Sequence, residues 1–137
     1  FEILPLDGSS QITIETGILF RLKFMCYKEN AMLDANMKVS TMDDMTVFQV
    51  GQVLGQVGEK DSKKGVYTVE FKINPYTLNA GRYKTEIFFG ENQRYLVYGG
   101  FEQCFEIENS LSDMGFNQNV MPGFLRPKNN FKVTFEG

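Results

Sequence analysis

Residues 18–27 read ILFRLKFMCY, and this stretch decides the fold because every second side chain is large and apolar. Successive side chains of a β-strand point to opposite faces, so the alternation predicts a half-buried strand rather than a helix. The face expected to be buried carries Ile18, Phe20, Leu22 and Phe24. The face expected to point outward carries Arg21, Lys23, Met25 and Tyr27.

Two later stretches, 66–73 (VYTVEFKI) and 82–89 (RYKTEIFF), repeat this alternation and predict two more half-buried strands. Their buried faces are expected to carry Tyr67, Val69, Phe71 and Ile73, and then Tyr83, Thr85, Ile87 and Phe89. Their outward faces are expected to carry Thr68, Glu70 and Lys72, and then Arg82, Lys84, Glu86 and Phe88.

The rest of the chain also reads as short strands separated by turns. Further strands are expected at 11–15, 35–41, 45–50, 93–98, 101–107 and 130–135. The glycine- and lysine-rich stretch 51–65 is expected to be a solvated loop with little order of its own. Eight or nine short strands in 137 residues predict one all-β domain spanning 1–137. The expected architecture is an antiparallel, immunoglobulin-like β-sandwich, with a jelly roll as the alternative.

Composition excludes several classes of function. With 14 basic and 17 acidic residues the net charge is −3, which argues against nucleic-acid binding by bulk positive charge. The chain has no histidine, so Ser-His and Cys-His catalytic pairs are excluded. Paired carboxylates can hydrolyse glycosidic bonds, but adjacent Asp43 and Asp44 are typical of a polar turn, and Glu102 and Glu106 of a solvated strand face. We therefore predict a protein that is not an enzyme, with no catalytic residue, no metal site and no cofactor.

The two cysteines, Cys26 and Cys104, invite comparison with the disulfide that joins the sheets of immunoglobulin domains. Cys26 continues the buried series of 18–27, whereas Cys104 alternates with Phe105 and is expected to point outward. Thiols that point to different sides of their strands cannot bond, so both are predicted to be free, as is usual in a reducing compartment.

The outward faces of the strands predicted at 18–27 and 82–89 combine charged groups with aromatic rings, which is the combination that binds sugars. Hydroxyl groups need polar partners, and the C–H faces of pyranose rings lie well on aromatic side chains. The candidate binding residues, expected to form one surface, are Arg21, Lys23, Tyr27, Arg82, Lys84, Glu86 and Phe88. Their cations would also attract an acidic sugar or a phosphate cap. A second aromatic and basic group at Arg94, Tyr95 and Tyr98 ranks behind them, and the alternative is a polar face that only keeps the sheet in solution.

Several short motifs resemble one family in their order and spacing. Residues 74–87 contain a P-L-x-x-G-x-Y pattern that enters a strand, and Phe105-Glu106-Ile107 supplies the strand that follows it. Upstream, Glu15-Thr16-Gly17 leads into a strand, and downstream 122–127 (PGFLRP) precedes Phe131, where the family often has tryptophan. From about residue 7 to 135, the chain resembles the C-terminal carbohydrate-binding domain of Wzt, the ATPase subunit of ABC transporters that export O-antigen polysaccharides.

The resemblance implies a β-sandwich that binds the modified non-reducing end of a lipid-linked O-antigen polysaccharide and so marks it for export. It implies an ATPase domain preceding this segment in a longer chain, a transmembrane transporter partner, and a place in the cytoplasm at the bacterial inner membrane. It also implies a homodimer in which the last strand can be exchanged. The alternation in 130–135 predicts that Phe131, Val133 and Phe135 close the core, and with the resemblance we expect them to be buried against a second chain. Two alternatives remain, a structural or adhesive immunoglobulin-like module and a carbohydrate-binding module of a secreted glycosidase.

Overall fold

The strands of the sandwich are short and follow one another closely along the chain. The computed structural model describes residues 1–92, 94–109, 122–128 and 132–136, and for 94–101 it describes the backbone alone. These residues form β1 Glu2–Pro5, β2 Ile18–Cys26, β3 Leu33–Thr41, β4 Thr46–Val53, β5 Gly65–Ile73, β6 Gly81–Glu91 and β7 Arg94–Ile107. A search of the described residues finds no helix that could cross a membrane.

The strands form two antiparallel sheets that face each other across the core. One sheet has three strands in the order β1-β2-β5, and the other has four in the order β4-β3-β6-β7. This arrangement confirms the prediction of an all-β, antiparallel sandwich. It also places β2 and β6 in different sheets, which bears directly on the predicted binding surface.

Phe20 on β2 lies at the centre of the core and joins the two sheets. Its side chain is 2% exposed, and its ring centroid lies 6.2 Å from that of Phe71 on β5 and 5.6 Å from that of Phe105 on β7. Aromatic pairs at such distances add to the stabilisation that their buried area supplies. Around this centre pack the other large buried side chains, Ile14, Ile18, Met37, Val39, Ile73, Leu78, Tyr83, Ile87 and Ile107.

The predicted faces of β2, β5 and β6 are confirmed. On β2, Ile18 and Phe20 are buried while Lys23 and Met25 are exposed, and on β5 the exposed residues are Val66, Thr68, Glu70 and Lys72. On β6, Tyr83, Thr85 and Ile87 are buried. The predicted states of the cysteines are also confirmed, since Cys26 is buried, Cys104 is exposed and both are free.

The strand predicted at 11–15 is wrong. Here Thr13 makes a single bridge to Glu108, and the flanking residues form turns. Two backbone donors find side-chain hydroxyls instead of a neighbouring strand, since the Thr13 N–H donates to Thr16 Oγ1 (3.1 Å) and the Glu15 N–H donates to Thr13 Oγ1 (3.1 Å). Ile14 is nevertheless buried, which explains why the sequence alternates.

Three further boundaries differ from the prediction. β1 was not predicted, because its four residues are too few for a pattern to show. The strands predicted at 93–98 and 101–107 are one strand, β7, whose pairing shifts register between Ile87 and Phe89 of β6. The loop predicted at 51–65 is shorter and better anchored than expected, since β4 extends to Val53 and the Ser62 hydroxyl donates to the Lys28 carbonyl (2.7 Å).

The segment after β7 returns to the connection between β5 and β6. The Asn79 N–H donates to the carbonyl of Phe124 (2.8 Å), and the Arg126 N–H donates to the carbonyl of Thr77 (3.0 Å). Farther along, 132–136 forms no strand, and Val133 and Phe135 are 90% and 89% exposed.

The expectation that Val133 and Phe135 close the core of their own chain is therefore wrong, because both side chains project into solvent. Phe131, which was expected to close the core with them, and most of the polar segment that precedes it lie outside the described residues.

Candidate functional site

The seven predicted binding residues lie on two surfaces. Arg21 and Lys23 project from β2 in the three-stranded sheet, and Tyr27 follows the end of that strand. Arg82, Lys84, Glu86 and Phe88 project from β6 in the four-stranded sheet. Outward side chains of the two sheets of a sandwich point away from each other. The expectation that all seven form one surface is therefore wrong, and the role of each in binding stays a prediction.

The first surface, the three-stranded face, consists of the outward side chains of β1, β2 and β5. Here the Arg21 guanidinium is already engaged by two carboxylates, with Nε 2.9 Å from Glu70 Oε2 and Nη1 3.8 Å from Glu2 Oε1. Lys23 is exposed beside them, and Tyr27 lies beyond the end of β2 with its side chain 80% exposed. A ligand on this face would have to compete with Glu70 and Glu2 for the Arg21 guanidinium.

The second surface, the four-stranded face, consists of the outward side chains of β3, β4, β6 and β7. Lys84 lies near its middle, and its Nζ donates to Asp44 Oδ1 in the turn between β3 and β4. This contact leaves the Lys84 side chain 13% exposed. The hydrogen bond from Lys84 lowers the pKa of Asp44 below its ordinary 3.8, and the carboxylate of Asp44 raises the pKa of Lys84 above its ordinary 10.5.

Phe88 and Asn36 form the part of this face best suited to hold a ring. They are direct partners in the pairing of β6 with β3, and residues opposite each other on one sheet face have Cβ atoms about 5 Å apart. Both side chains are half-buried, so a ligand would meet a flat ring beside an amide that donates and accepts hydrogen bonds.

Two glycines make room for the polar side chains of β3. A Cβ added to Gly51 on β4 would lie 2.2 Å from Asn36 Oδ1, and one added to Gly90 on β6 would lie 1.9 Å from Asp34 Oδ1. The side chains of Asn36 and Asp34 therefore lie low over glycine backbone on either side of β3. We call the surface formed by Asp34, Asn36 and Phe88 the Phe88 surface.

Asn36 and Asp34 were missed by the sequence reasoning. They occupy outward positions of a predicted strand, so parity placed them on a polar face but gave no reason to single them out. Their relevance depends on the register that sets Asn36 opposite Phe88 and Gly51, and Asp34 opposite Gly90. The register between two strands that are distant in sequence cannot be predicted from the residues of either strand alone.

A cavity at one end of the sandwich provides a third location. It has a volume of about 520 Å³ and lies where β2 and β6 end and β3 begins, with Tyr27 at its lining. Phe24 and Phe89 contribute rings whose centroids lie 5.1 Å apart, and an ion pair joins Lys28 Nζ to Glu91 Oε1 (2.6 Å). The cavity is mainly apolar and offers few groups that could orient hydroxyls.

The third predicted group, Arg94, Tyr95 and Tyr98, belongs to β7. Its side chains lie outside the described residues, and its role stays a prediction. Cys104 and Glu102 on the same strand point outward, and Glu102 is the cross-strand partner of Glu86.

Comparison with known proteins identifies the fold. No family model matches the chain, and no curated protein matches it. Among solved structures, the chain is similar to one described as the crystal structure of the C-terminal domain of wzt, with a TM-score of 0.67 and 14% identity. The match covers 96% of this chain and 80% of that one. The fold is therefore that of the Wzt C-terminal domain, as the sequence motifs predicted, and at this identity the likeness extends to the fold alone.

Proposed function

We propose that this chain is a non-catalytic domain that recognises the modified non-reducing end of a lipid-linked O-antigen polysaccharide and marks it for export by an ABC transporter. The observation that carries the proposal is the sandwich shared with the Wzt C-terminal domain over almost the whole chain. The Phe88 surface supports it, because that surface combines a ring, an amide and a carboxylate on paired strands.

The binding surface in this proposal consists of Asn36, Lys84, Glu86 and Phe88. The Phe88 ring receives the apolar C–H face of a pyranose, and Asn36 and Glu86 exchange hydrogen bonds with its hydroxyls. All four side chains project from β3 and β6, whose long ladder holds them in place. A site built on strands loses little entropy when it binds, so modest contacts suffice for recognition.

A glycan array probed with the purified domain tests this proposal, followed by titration calorimetry with the bound glycan. Phe88→Ala is expected to weaken binding by about tenfold to a hundredfold, the factor that corresponds to a loss of about 1–3 kcal/mol. Arg21→Ala is the matched control, because it removes a large side chain from the opposite face and leaves the Phe88 surface unchanged. Far-UV circular dichroism verifies that both variants are folded.

Each contrary result has a distinct meaning. A loss of affinity in Arg21→Ala with none in Phe88→Ala would move the site to the three-stranded face. If both variants keep the wild-type affinity, the binding site lies at the end cavity or at the group of Arg94, Tyr95 and Tyr98. If no glycan is bound at all, a structural or adhesive module becomes the better account.

The wider setting follows from the same proposal. The domain would be one part of a longer chain whose ATPase domain precedes it and contacts the transmembrane transporter subunit. It would then work in the cytoplasm, at the inner membrane of a bacterium. Two free cysteines are compatible with such a reducing compartment.

We also propose that the domain forms a homodimer in which the terminal segment, 132–136, packs on the neighbouring copy. Val133 and Phe135 project into solvent, where apolar side chains of this size gain nothing. A gap of about 300 Å³ between the sheets, lined by apolar side chains that include Val50 of β4 and Phe71 of β5, could receive such side chains. Light scattering at high protein concentration tests this proposal, and a strictly monomeric mass would contradict it.

A further inference from the structure

The four-stranded face carries more carboxylates than cations. Its described outward side chains, with the turn between β3 and β4, include three cations and six carboxylates. The cations are Lys38, Arg82 and Lys84, and the carboxylates are Asp34, Asp43, Asp44, Glu86, Glu102 and Glu106. The sequence-based expectation that Arg82 and Lys84 would attract an acidic sugar did not take account of the carboxylates of Asp44 and Glu106.

Lys84 lies two residues farther from Phe88 along the β3–β6 ladder than Lys38 does, and it is held by a carboxylate of its own chain. Asp44 adopts a backbone φ of 68° at the tip of the turn, and its carboxylate accepts a hydrogen bond from Lys84 Nζ. The Lys84 side chain is 13% exposed, but that of Asp44 is 79% exposed, so ionic strength weakens this contact. An anionic ligand would have to displace Asp44 before it could use this amine.

The other two cations are also flanked by carboxylates. Arg82 Nε lies 3.9 Å from Glu106 Oε2 at the end of the face away from Phe88. Lys38 is the cross-strand partner of Glu86, and its charge contributes to the low pKa of Asp44. An anion brought to this face would therefore meet a carboxylate beside every described cation.

We propose that the four-stranded face selects an uncharged saccharide, and that Asp44 enforces the selection by holding the amine of Lys84. This inference rests on the proposed function and names the substrate class of the same site. Ionised carboxylates only accept hydrogen bonds, so they complement the hydroxyl protons of a neutral sugar. The same carboxylates repel a carboxylate or phosphate on the ligand, and such repulsion is a common source of specificity.

The experiment compares D-glucose with D-glucuronate, which differ by one carboxylate. Each sugar is titrated into the isotope-labelled domain, and dissociation constants are read from amide shifts on β3 and β6. The variant Asp44→Asn keeps the turn's shape and removes the negative charge that holds the amine of Lys84. Glu106→Gln removes the same charge from the same face but leaves the contact between Lys84 and Asp44 in place.

In the wild-type domain, D-glucose is expected to bind more tightly than D-glucuronate. In Asp44→Asn, the affinity for D-glucuronate is expected to rise by about tenfold, the factor that one charge-assisted hydrogen bond supplies. Glu106→Gln is expected to change the affinity for D-glucuronate much less. Equal gains in both variants would show that net charge alone matters and would overturn the role of Asp44.

Tighter wild-type binding of D-glucuronate on this face would overturn the inference and leave the proposed function standing. A wild-type domain that binds neither sugar, and no glycan on an array, would refute the proposed function and this inference together.

Discussion

Tyr83 provides the most exacting test of how the sandwich is held together. It lies on β6 with its side chain 4% exposed, and its ring centroid lies 5.5 Å from that of Phe105 on β7. Its hydroxyl donates a buried hydrogen bond to the carbonyl of Asn79 (2.8 Å), at the turn that leads into β6. One side chain therefore supplies both core packing and a polar contact.

Two substitutions separate these contributions. Tyr83→Ala removes the ring and leaves a cavity, so it is expected to lower the free energy of unfolding by about 3–5 kcal/mol. Tyr83→Phe keeps the ring but removes the donor to the buried carbonyl, so it is expected to cost about 0.5–1.5 kcal/mol. Most of the stabilisation would then come from packing rather than from the hydroxyl.

Urea unfolding followed by far-UV circular dichroism measures both values, provided that the slope against urea is unchanged. Tyr27→Ala is the matched control, because that ring is 80% exposed and its removal is expected to change stability by less than about 0.5 kcal/mol. The reasoning would be refuted if Tyr83→Ala cost no more than Tyr27→Ala, or if Tyr83→Phe cost as much as Tyr83→Ala.

Two further predictions concern single contacts. Gly17 has a φ of +68°, and a Cβ there would lie 2.7 Å from the Ile73 carbonyl oxygen, so Gly17→Ala is expected to cost about 1–3 kcal/mol in urea unfolding; an unchanged midpoint would contradict this. The pKa of Asp44 lies below 3.8, so its contact with Lys84 stabilises the fold above that pH and is lost as the pH falls through the folded-state pKa. Carboxyl NMR titration is expected to show a midpoint below 3.8 that rises in Lys84→Met, and a wild-type midpoint at or above 3.8 would contradict it.

The local pattern of the sequence was sufficient to predict β2, β5 and β6 and the faces of these strands. In 18–27 and 82–89, one-residue slips would exchange Phe20 with Arg21, or Tyr83 with Arg82, so burial fixes the parity strongly. The same alternation correctly predicted that Cys26 and Cys104 form no disulfide with each other. These are properties of single strands, which a pattern with a period of two residues can report.

The pairing of distant strands could not be obtained in this way. The residues of β2 and β6 do not show that these strands belong to different sheets. For that reason the predicted binding surface wrongly combined Arg21 with Phe88. The contact between Lys84 and Asp44 likewise depends on a turn 40 residues away in the chain. At 11–15, the hydroxyl of Thr16 competed for backbone donors that the alternation alone assigned to a strand.

The central claim is that a glycan binds on the four-stranded face, and amide shift mapping with the glycan selected on an array tests it most directly. The account predicts shift changes concentrated at Asn36, Glu86 and Phe88, with Arg21 and Lys23 unaffected. Shift changes centred on Arg21 and Lys23 instead, or spread evenly over both sheets, would contradict it.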